Sequence, residues 1–408
     1  MEFQISGKAK KSIIIVGIVG LLLFLLGVFT NGEAQSEYLK SRIVSNFLID
    51  ALFFLFISLG ALFFMALQYA TETGWSVAIK RVLEGISSYV IVGVITLGLV
   101  FLYITVDNGA YTVNSHDHHV GHIYEWMDTK MVDHDTILQG KEPFLNKTFF
   151  WVATIIYFAI YVMFYLGFRK RSLQEDLEGG TKLHYKNFAK AAFFLVLFGY
   201  TSSTLTWHWT MSIDAHWFST LYGWYVFSGM WLTAMVCTML LILYLKGKGH
   251  LEKVNDSHIH DVGKWIFALS FLWSYLFFSQ FMLIWYPNIP EEAIYYTFRF
   301  ENYKYIFWGM FIINFTIPML ILMSREAKRH AGILMVVGLI IIIGHWTDVY
   351  MLITPGVMGE HGSIGIIELG LFMVFASIFV FWVLNTMSKA PLMPKNHPFL
   401  DESKHHDI

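Results

Sequence analysis

The chain has 408 residues, of which 56% are hydrophobic and only 14% are charged, with a formal net charge of −2. Soluble domains carry about 25% charged residues, so this composition excludes an ordinary soluble protein and indicates an integral membrane protein. The charge offers no basic surface, which argues against nucleic acid as a partner. The single cysteine, Cys237, excludes an intrachain disulfide, a cysteine-ligated cluster and a c-type haem attachment motif.

The first predicted element is an uncleaved membrane-spanning helix over residues 12–30. Lys8, Lys10 and Lys11 precede it, as basic residues precede a signal peptide. The apolar run is too long for a typical signal sequence, however, and no Ala-x-Ala cleavage motif follows it.

Nine further apolar runs are long enough to span a bilayer, since a crossing needs about 20 apolar residues. None shows the period-two alternation of a membrane barrel, so we predict an all-α integral membrane fold of ten transmembrane helices in one polytopic domain. The predicted spans are residues 12–30, 44–68, 86–106, 148–168, 189–210, 217–245, 263–287, 303–323, 329–353 and 364–386.

Basic residues predict the orientation, because they are retained on the cytoplasmic side. The N-terminus, the loops after spans two, four, six and eight, and the C-terminus hold 21 of the 28 basic residues. Both termini are therefore expected in the cytoplasm. Residues 387–408 form a cytoplasmic tail, predicted to be extended from Pro391 onward with His405 and His406 exposed to solvent.

The longest external segment, residues 107–147, contains a dense group of histidines between residues 114 and 122. Dense histidines can bind a metal, but one loop without helical ligand spacing is weak evidence for such a site. A solvated loop or a docking surface for a partner is the favoured interpretation.

Polar residues within the spans are costly in hydrocarbon and are candidates for function. Asp50 lies in span two, roughly 12 Å from the outer edge. His345 and Asp348 lie in the outer half of span nine and, three residues apart, share a helix face. Glu368 enters span ten from the outside, and Gln280 lies in the outer half of span seven.

Span five adds a stripe of polar residues that runs towards the outer surface. Its members are Tyr200, Ser203, Thr204 and His208. Their spacings of three, four and eight residues place them on one helix face. The stripe ends at His208, and Asp214 and His216 follow in a short outer loop.

Polar groups thus gather in the outer half of the membrane, and beyond Glu84 at the start of span three we expect hardly any ionisable group in the inner half. This distribution suits a half-channel for protons or a cavity that binds a quinol head group. We predict that Asp50, His345 and Asp348 form a protonatable cluster open to the outer side. Hydrogen bonding between helices is the structural alternative for the same residues. His208 and His345 have similar depth on different spans, but a single such pair is a weak prediction of b-type haem.

The junction of spans five and six carries a distinctive stretch, TWHWTMSIDAHWFSTLYGWY, over residues 206–225. It resembles the corresponding junction in NrfD-type, polysulfide-reductase-like membrane subunits of alternative complex III, in particular the shorter, ActF-type subunit. Residues 396–400, NHPFL, and the ten-span plan are similar too, so the resemblance covers nearly the whole chain.

This resemblance implies two four-helix bundles, spans two to five and six to nine, flanked by spans one and ten. It implies a complex in the bacterial cytoplasmic membrane that oxidises quinol, menaquinol or ubiquinol, and passes electrons to a periplasmic acceptor. The implied partners are a quinol-site paralogue, haem c subunits and an iron–sulfur subunit, with a terminal oxidase as a further candidate. The shorter subunit would itself hold no redox cofactor and no metal, and would have structural and proton-conducting roles.

Two alternatives remain open at this point. The subunit would oxidise quinol itself if a cavity between helices reached Asp50 or His345. A secondary transporter would show spans broken by glycine or proline near the midplane in both halves. The eight prolines avoid such positions, with Pro318 the nearest exception, which disfavours a transporter.

Overall fold

The computed structural model describes residues 3–30, 36–106, 111–113 and 120–407, and most of them are helical. Two short antiparallel strands, β1 (Tyr111–Val113) and β2 (Val120–His122), pair in the segment after the third span. The helices in chain order are α1 (Gly7–Thr30), α2 (Ser36–Ala70), α3 (Lys80–Ser87), α4 (Val90–Val106), α5 (Thr129–His134), α6 (Thr136–Lys141), α7 (Lys147–Glu178), α8 (Lys182–Trp209), α9 (Tyr222–Gly247), α10 (Asp256–Trp285), α11 (Pro290–Asn302), α12 (Lys304–Phe311), α13 (Ile317–Ile321), α14 (Ala331–Met358), α15 (Ile366–Met387) and α16 (Leu400–Lys404).

Ten helical segments of the described chain are long and apolar enough to cross a membrane, which confirms the predicted number of spans. They are α1, α2, α3 with α4, α7, α8, α9, α10, α12 with α13, α14 and α15. Several run past the predicted limits. α7 continues to Glu178 instead of residue 168, because its last turns carry charged residues that are buried by ion pairs rather than placed in a loop.

Helix α2 lies at the centre of the array. It packs against α3, α4, α8, α9, α14 and α15, and 89% of its most apolar stretch is buried. Its closest neighbour is α9: a Cβ atom added at Gly60 would lie 2.1 Å from the carbonyl oxygen of Met230. A glycine is therefore required at this crossing.

Helix α1 lies at the edge of the array, and only 11% of its most apolar stretch is buried. It packs along α15, where Gly20 faces Gly370 so closely that a Cβ on Gly20 would lie 2.7 Å from the Gly370 carbonyl oxygen. The rest of its apolar surface is exposed.

The helix array has two ends. One end, the terminal face, holds residues 3–10, the turns at 71–79 and 248–255, and the C-terminal residues 388–407. The other end, the loop face, holds residues 125–146, the turn at 210–221 and α11.

The C-terminal tail is folded onto the terminal face, so the prediction of an extended tail is wrong. Ser403 is buried, and its hydroxyl group accepts a bond from the Ala78 amide and donates one to the Trp75 carbonyl. His406, predicted to be exposed, is half-buried with its Nε2 atom 2.6 Å from Asp261, whereas His405 is exposed as predicted. The tail docks because short polar side chains satisfy backbone groups left open at helix ends.

Three spans depart from regular α-helix. The third breaks at Ser88 and Tyr89, between α3 and α4. The eighth contains a π-helical turn at Ile312–Thr316, directly before Pro318. α14 includes Pro355, which the predicted limit at residue 353 had placed outside the span. Such interruptions leave backbone groups without their usual helical partners.

Candidate functional site

Asp348 is a carboxyl group buried in the interior of the second half of the protein, with 4% of its surface exposed. Its Oδ1 atom accepts a hydrogen bond from the Tyr225 hydroxyl, and its Oδ2 atom accepts one from the Trp273 indole at 3.1 Å. The Nδ1 atom of His345 lies 3.6 Å from Oδ2. A carboxyl, an imidazole and a phenol, three groups that exchange protons, therefore meet at one point.

Three helices build this arrangement, which is called the Asp348 site below. α14 supplies Asp348 and His345 from one face, as the i, i+3 spacing predicted. α9 supplies Tyr225 and α10 supplies Trp273. Gly229 of α9 faces His345, at a distance where a Cβ would make an ordinary contact of 3.4 Å with Nδ1. The Nε2 atom of His345 is buried without a hydrogen-bond partner among the described residues, which leaves it open to a water molecule.

Asp50 does not belong to this site, although both acidic residues and His345 were grouped in the sequence prediction of outer polar residues. Its Oδ1 atom accepts a 2.7 Å bond from the indole of Trp346. Trp346 lies two residues before Asp348 on α14 and therefore points to a different side of the helix. Asp50 and Asp348 bind different partners on different sides of α14.

Glu368 is engaged in a structural ion pair. Arg42 donates two 2.7 Å bonds to its two carboxylate oxygens, and Asn46 donates another at 2.9 Å. The Gly365 amide adds a fourth at 2.8 Å, at the start of α15. A carboxylate with this many donors ties α2 to the first turn of α15 and is a poor proton carrier.

Asp214 and His216 lie at the loop face and line a cavity of about 610 Å³. Asp214 pairs with Arg299 of α11 at 2.8 Å. His216 lies 2.5 Å from Asp135. Burial raises the pKa of the Asp135 carboxyl group, but bonds from His216 and from backbone amides outweigh it and hold that pKa below its ordinary value.

Gln280 and His208, the remaining candidates, are both buried. The Gln280 amide donates to the Tyr296 hydroxyl at 2.9 Å, a bond that links α10 to α11. The His208 ring stacks on Phe144 with 4.2 Å between centroids, whereas His345 packs edge-on against Trp273. The two histidine rings contact different side chains, and the haem between them stays a prediction that the structure does not test.

A charged cluster at the terminal face contradicts the expectation of an inner half with hardly any ionisable groups. Glu84 of α3 lies at its centre, fully buried. Arg81 donates to it at 2.7 Å, and Arg169 and the Ser172 hydroxyl also bind it. Arg81 in addition pairs with Asp176.

The sequence analysis placed Glu84 at the start of span three but missed its partners, because these charges precede the apolar run of span three or follow that of span four, where loops were expected. The pattern that could have revealed it is the i, i+3 spacing of Arg81 and Glu84 beside a basic run at residues 169–171. These charges can be buried because three cations and three carboxylates neutralise one another. Lys80 and Glu175, which pair at 3.1 Å, are included in this count.

Beside this cluster, Glu175, His184 and His397 lie close enough together to suggest a metal site. The Lys80 ammonium group, however, lies 3.1 Å from Glu175 and already provides the cation of this group. His397 comes from the docked tail, and its Nδ1 atom accepts the Phe399 amide at 3.2 Å. These contacts attach the tail to the terminal face, and the absence of a metal from this chain stays a prediction.

The histidine-rich part of the long external loop, residues 114–119, lies outside the described residues. Its predicted role as a docking surface stays a prediction.

The chain was compared with protein-family models and with curated proteins, and neither comparison finds a match.

Proposed function

We propose that this protein is a membrane subunit of a respiratory quinol:cytochrome c oxidoreductase of the alternative complex III type, without a redox centre of its own. In this proposal the Asp348 site exchanges protons with the loop face while partner subunits carry the haem c groups, the iron–sulfur clusters and the quinol site. The sequence resemblance at residues 206–225 supports the class of complex.

A single observation carries the proton-exchanging role. Asp348 is 4% exposed, lies within an apolar helix and has no arginine or lysine partner among the described residues. Its neighbours are a phenol, an indole and an imidazole. Asp50 is also buried without a cationic partner among the described residues, but it contacts an indole, which does not exchange protons; the phenol and the imidazole therefore distinguish Asp348.

The membrane orientation and the bundle plan are part of the proposal. The terminal face would lie in the cytoplasm of a bacterial cell and the loop face outside it, as the distribution of basic residues favours. Helix contacts α2–α8, α4–α7 and α7–α8 are compatible with one four-helix bundle, and α9–α10, α9–α14 and α12–α14 with a second.

The experiment replaces Asp348 and Asp50, one at a time, by asparagine. It measures the proton yield per electron in the purified complex, reconstituted into vesicles. We expect Asp348→Asn to lower this yield severalfold, because the amide keeps the size but removes the titratable proton. Asp50→Asn is the matched control: Asp50 is equally buried, but the bond it accepts comes from the Trp346 indole, with no imidazole or phenol bonded to it among the described residues, so its amide is expected to leave the yield near that of the wild type.

Wild-type proton yield in Asp348→Asn, with the complex intact, would overturn the proton-exchanging role. A loss of yield in the Asp50 variant alone would place the site on the other side of α14. A complex that lacks haem c would contradict the proposed class of enzyme.

A secondary transporter is the second candidate, because spans in both halves are interrupted. The third span breaks at Ser88 and Tyr89, and the eighth has a π-helical turn before Pro318. Copurification discriminates between the candidates: a transporter would be isolated without a multihaem cytochrome.

A further inference from the structure

Arg299 connects α11 at the loop face to the interior of α14. Pro355 lies within α14 and has no amide hydrogen, so the carbonyl group of Met351, four residues earlier, loses its helical donor. The Nε atom of Arg299 donates to this carbonyl oxygen at 3.3 Å. An arginine from another helix thus replaces the missing helical hydrogen bond.

The guanidinium group is held in one position by further contacts. Its Nη1 atom donates to the Tyr295 carbonyl at 3.1 Å, and Nη2 donates to Asp214 at 2.8 Å. The group also lies over the Tyr295 ring, 3.4 Å from its centroid, and that ring stacks on Trp217. Arg299 is 2% exposed, so this is a fixed, buried positive charge.

Arg299 lies between the Asp348 site and the loop-face cavity. Met351 follows Asp348 by three residues, about 4.5 Å along the helix axis. On the other side, Asp214, Tyr295 and Arg299 line the cavity of about 610 Å³. Gly356 lets Asp214 approach α14, because a Cβ there would lie 3.0 Å from its Oδ1 atom.

We propose that this cavity is the outlet for protons from the Asp348 site and that Arg299 is the positioning residue that closes it. The inference rests on the proposed function and adds the route and the gate. The Asp348 carboxyl group loses a proton, and water in the cavity gains it. No bond other than these O–H bonds changes.

The buried positive charge of Arg299 raises the barrier to proton passage between the cavity and Asp348. Without it, protons would leak across this point from the loop face, and proton release would be less tightly coupled to electron transfer.

The test uses the intact complex in sealed vesicles with the loop face inward or outward in known proportion. The readouts are the proton yield per electron and the stimulation of quinol oxidation by an uncoupler. Arg299→Gln is expected to lower both by at least twofold, because the charge is lost. Arg299→Lys, which keeps the charge, is expected to restore most of both. Lys304→Gln removes an exposed charge from the same face and is expected to match the wild type.

Pro355→Ala provides an independent variant. It supplies the backbone amide that Met351 lacks, so the helix competes with Arg299 for the same carbonyl oxygen. We expect both the proton yield and the uncoupler stimulation to fall, by less than in Arg299→Gln. If Arg299→Gln does not assemble, Pro355→Ala is the variant that tests the gate.

Wild-type readouts in Arg299→Gln, or in Pro355→Ala if only that variant assembles, would overturn the gate. If Asp348→Asn still lowers the proton yield in that case, only the gate has failed and the proposed function stands. Equal losses in the glutamine and lysine variants would also overturn it, because the charge would then be irrelevant. If Asp348→Asn is silent as well, the proposed function itself has failed.

Discussion

Replacing Glu84 by glutamine is expected to destabilise the protein strongly. Glu84 is fully buried and accepts bonds from Arg81, Arg169 and Ser172. The amide keeps the volume but removes the negative charge, so Arg169 loses the carboxylate it pairs with and the buried Arg81 keeps that of Asp176. Breaking a buried ion pair by removing one partner costs about 3–5 kcal/mol, and we expect a loss of about 3 kcal/mol in the free energy of unfolding.

The measurement is equilibrium unfolding in mild detergent by titration with a denaturing detergent, followed by tryptophan fluorescence. Asp401→Asn is the matched control, because Asp401 forms an exposed pair with Lys404 and its loss should leave the unfolding midpoint unchanged. If Glu84→Gln unfolds at the same midpoint as the control, the buried network does not stabilise the terminal face and the reasoning is refuted.

Two further predictions concern packing and pH. Burial lowers the pKa of His397 to about 2, so the docked tail is fully stable above pH 6.5 and loses stability as the pH falls towards 2. At pH 5.5 the loss is about 1.4 kcal/mol. Hydrogen-exchange protection factors of the tail, corrected for the intrinsic rate, should therefore fall in the wild type and in His405→Gln but not in His397→Asn. Gly60→Ala is expected to lower the free energy of unfolding by about 1–3 kcal/mol, because the new Cβ would lie 2.1 Å from the Met230 carbonyl oxygen. Gly98→Ala is the control: its Cβ makes an ordinary contact at 3.5 Å, so the variant should be neutral or stabilising. Equal effects at the two glycines would contradict the packing argument.

The number and approximate limits of the spans could be predicted from sequence, because a crossing helix must be apolar over about 20 residues and nothing else in the chain has that property. The pairing of His345 with Asp348 was also predictable, since both lie on α14 and helical spacing fixes their relative direction.

Contacts between distant parts of the chain could not be predicted in this way. The partner of Asp50 is 296 residues away in Trp346, and hydropathy carries no information about which helices become neighbours. The terminal-face charges were assigned to loops because a local window cannot detect that Arg81 meets Asp176. The same limit applies to Arg299, whose role depends on a carbonyl group that Pro355 frees in another helix.

The contact between the first and the last membrane helices has a consequence for biogenesis. α1 leaves the ribosome long before the surface it packs on, around Gly370 of α15, is made. At about 5–20 residues per second, synthesis of the chain between Thr30 and Ile366 takes tens of seconds. During that time α1 lies in the bilayer without its main packing partner, accessible to insertases and quality-control proteases. A nascent chain stalled before Ile366 would keep α1 in this exposed state.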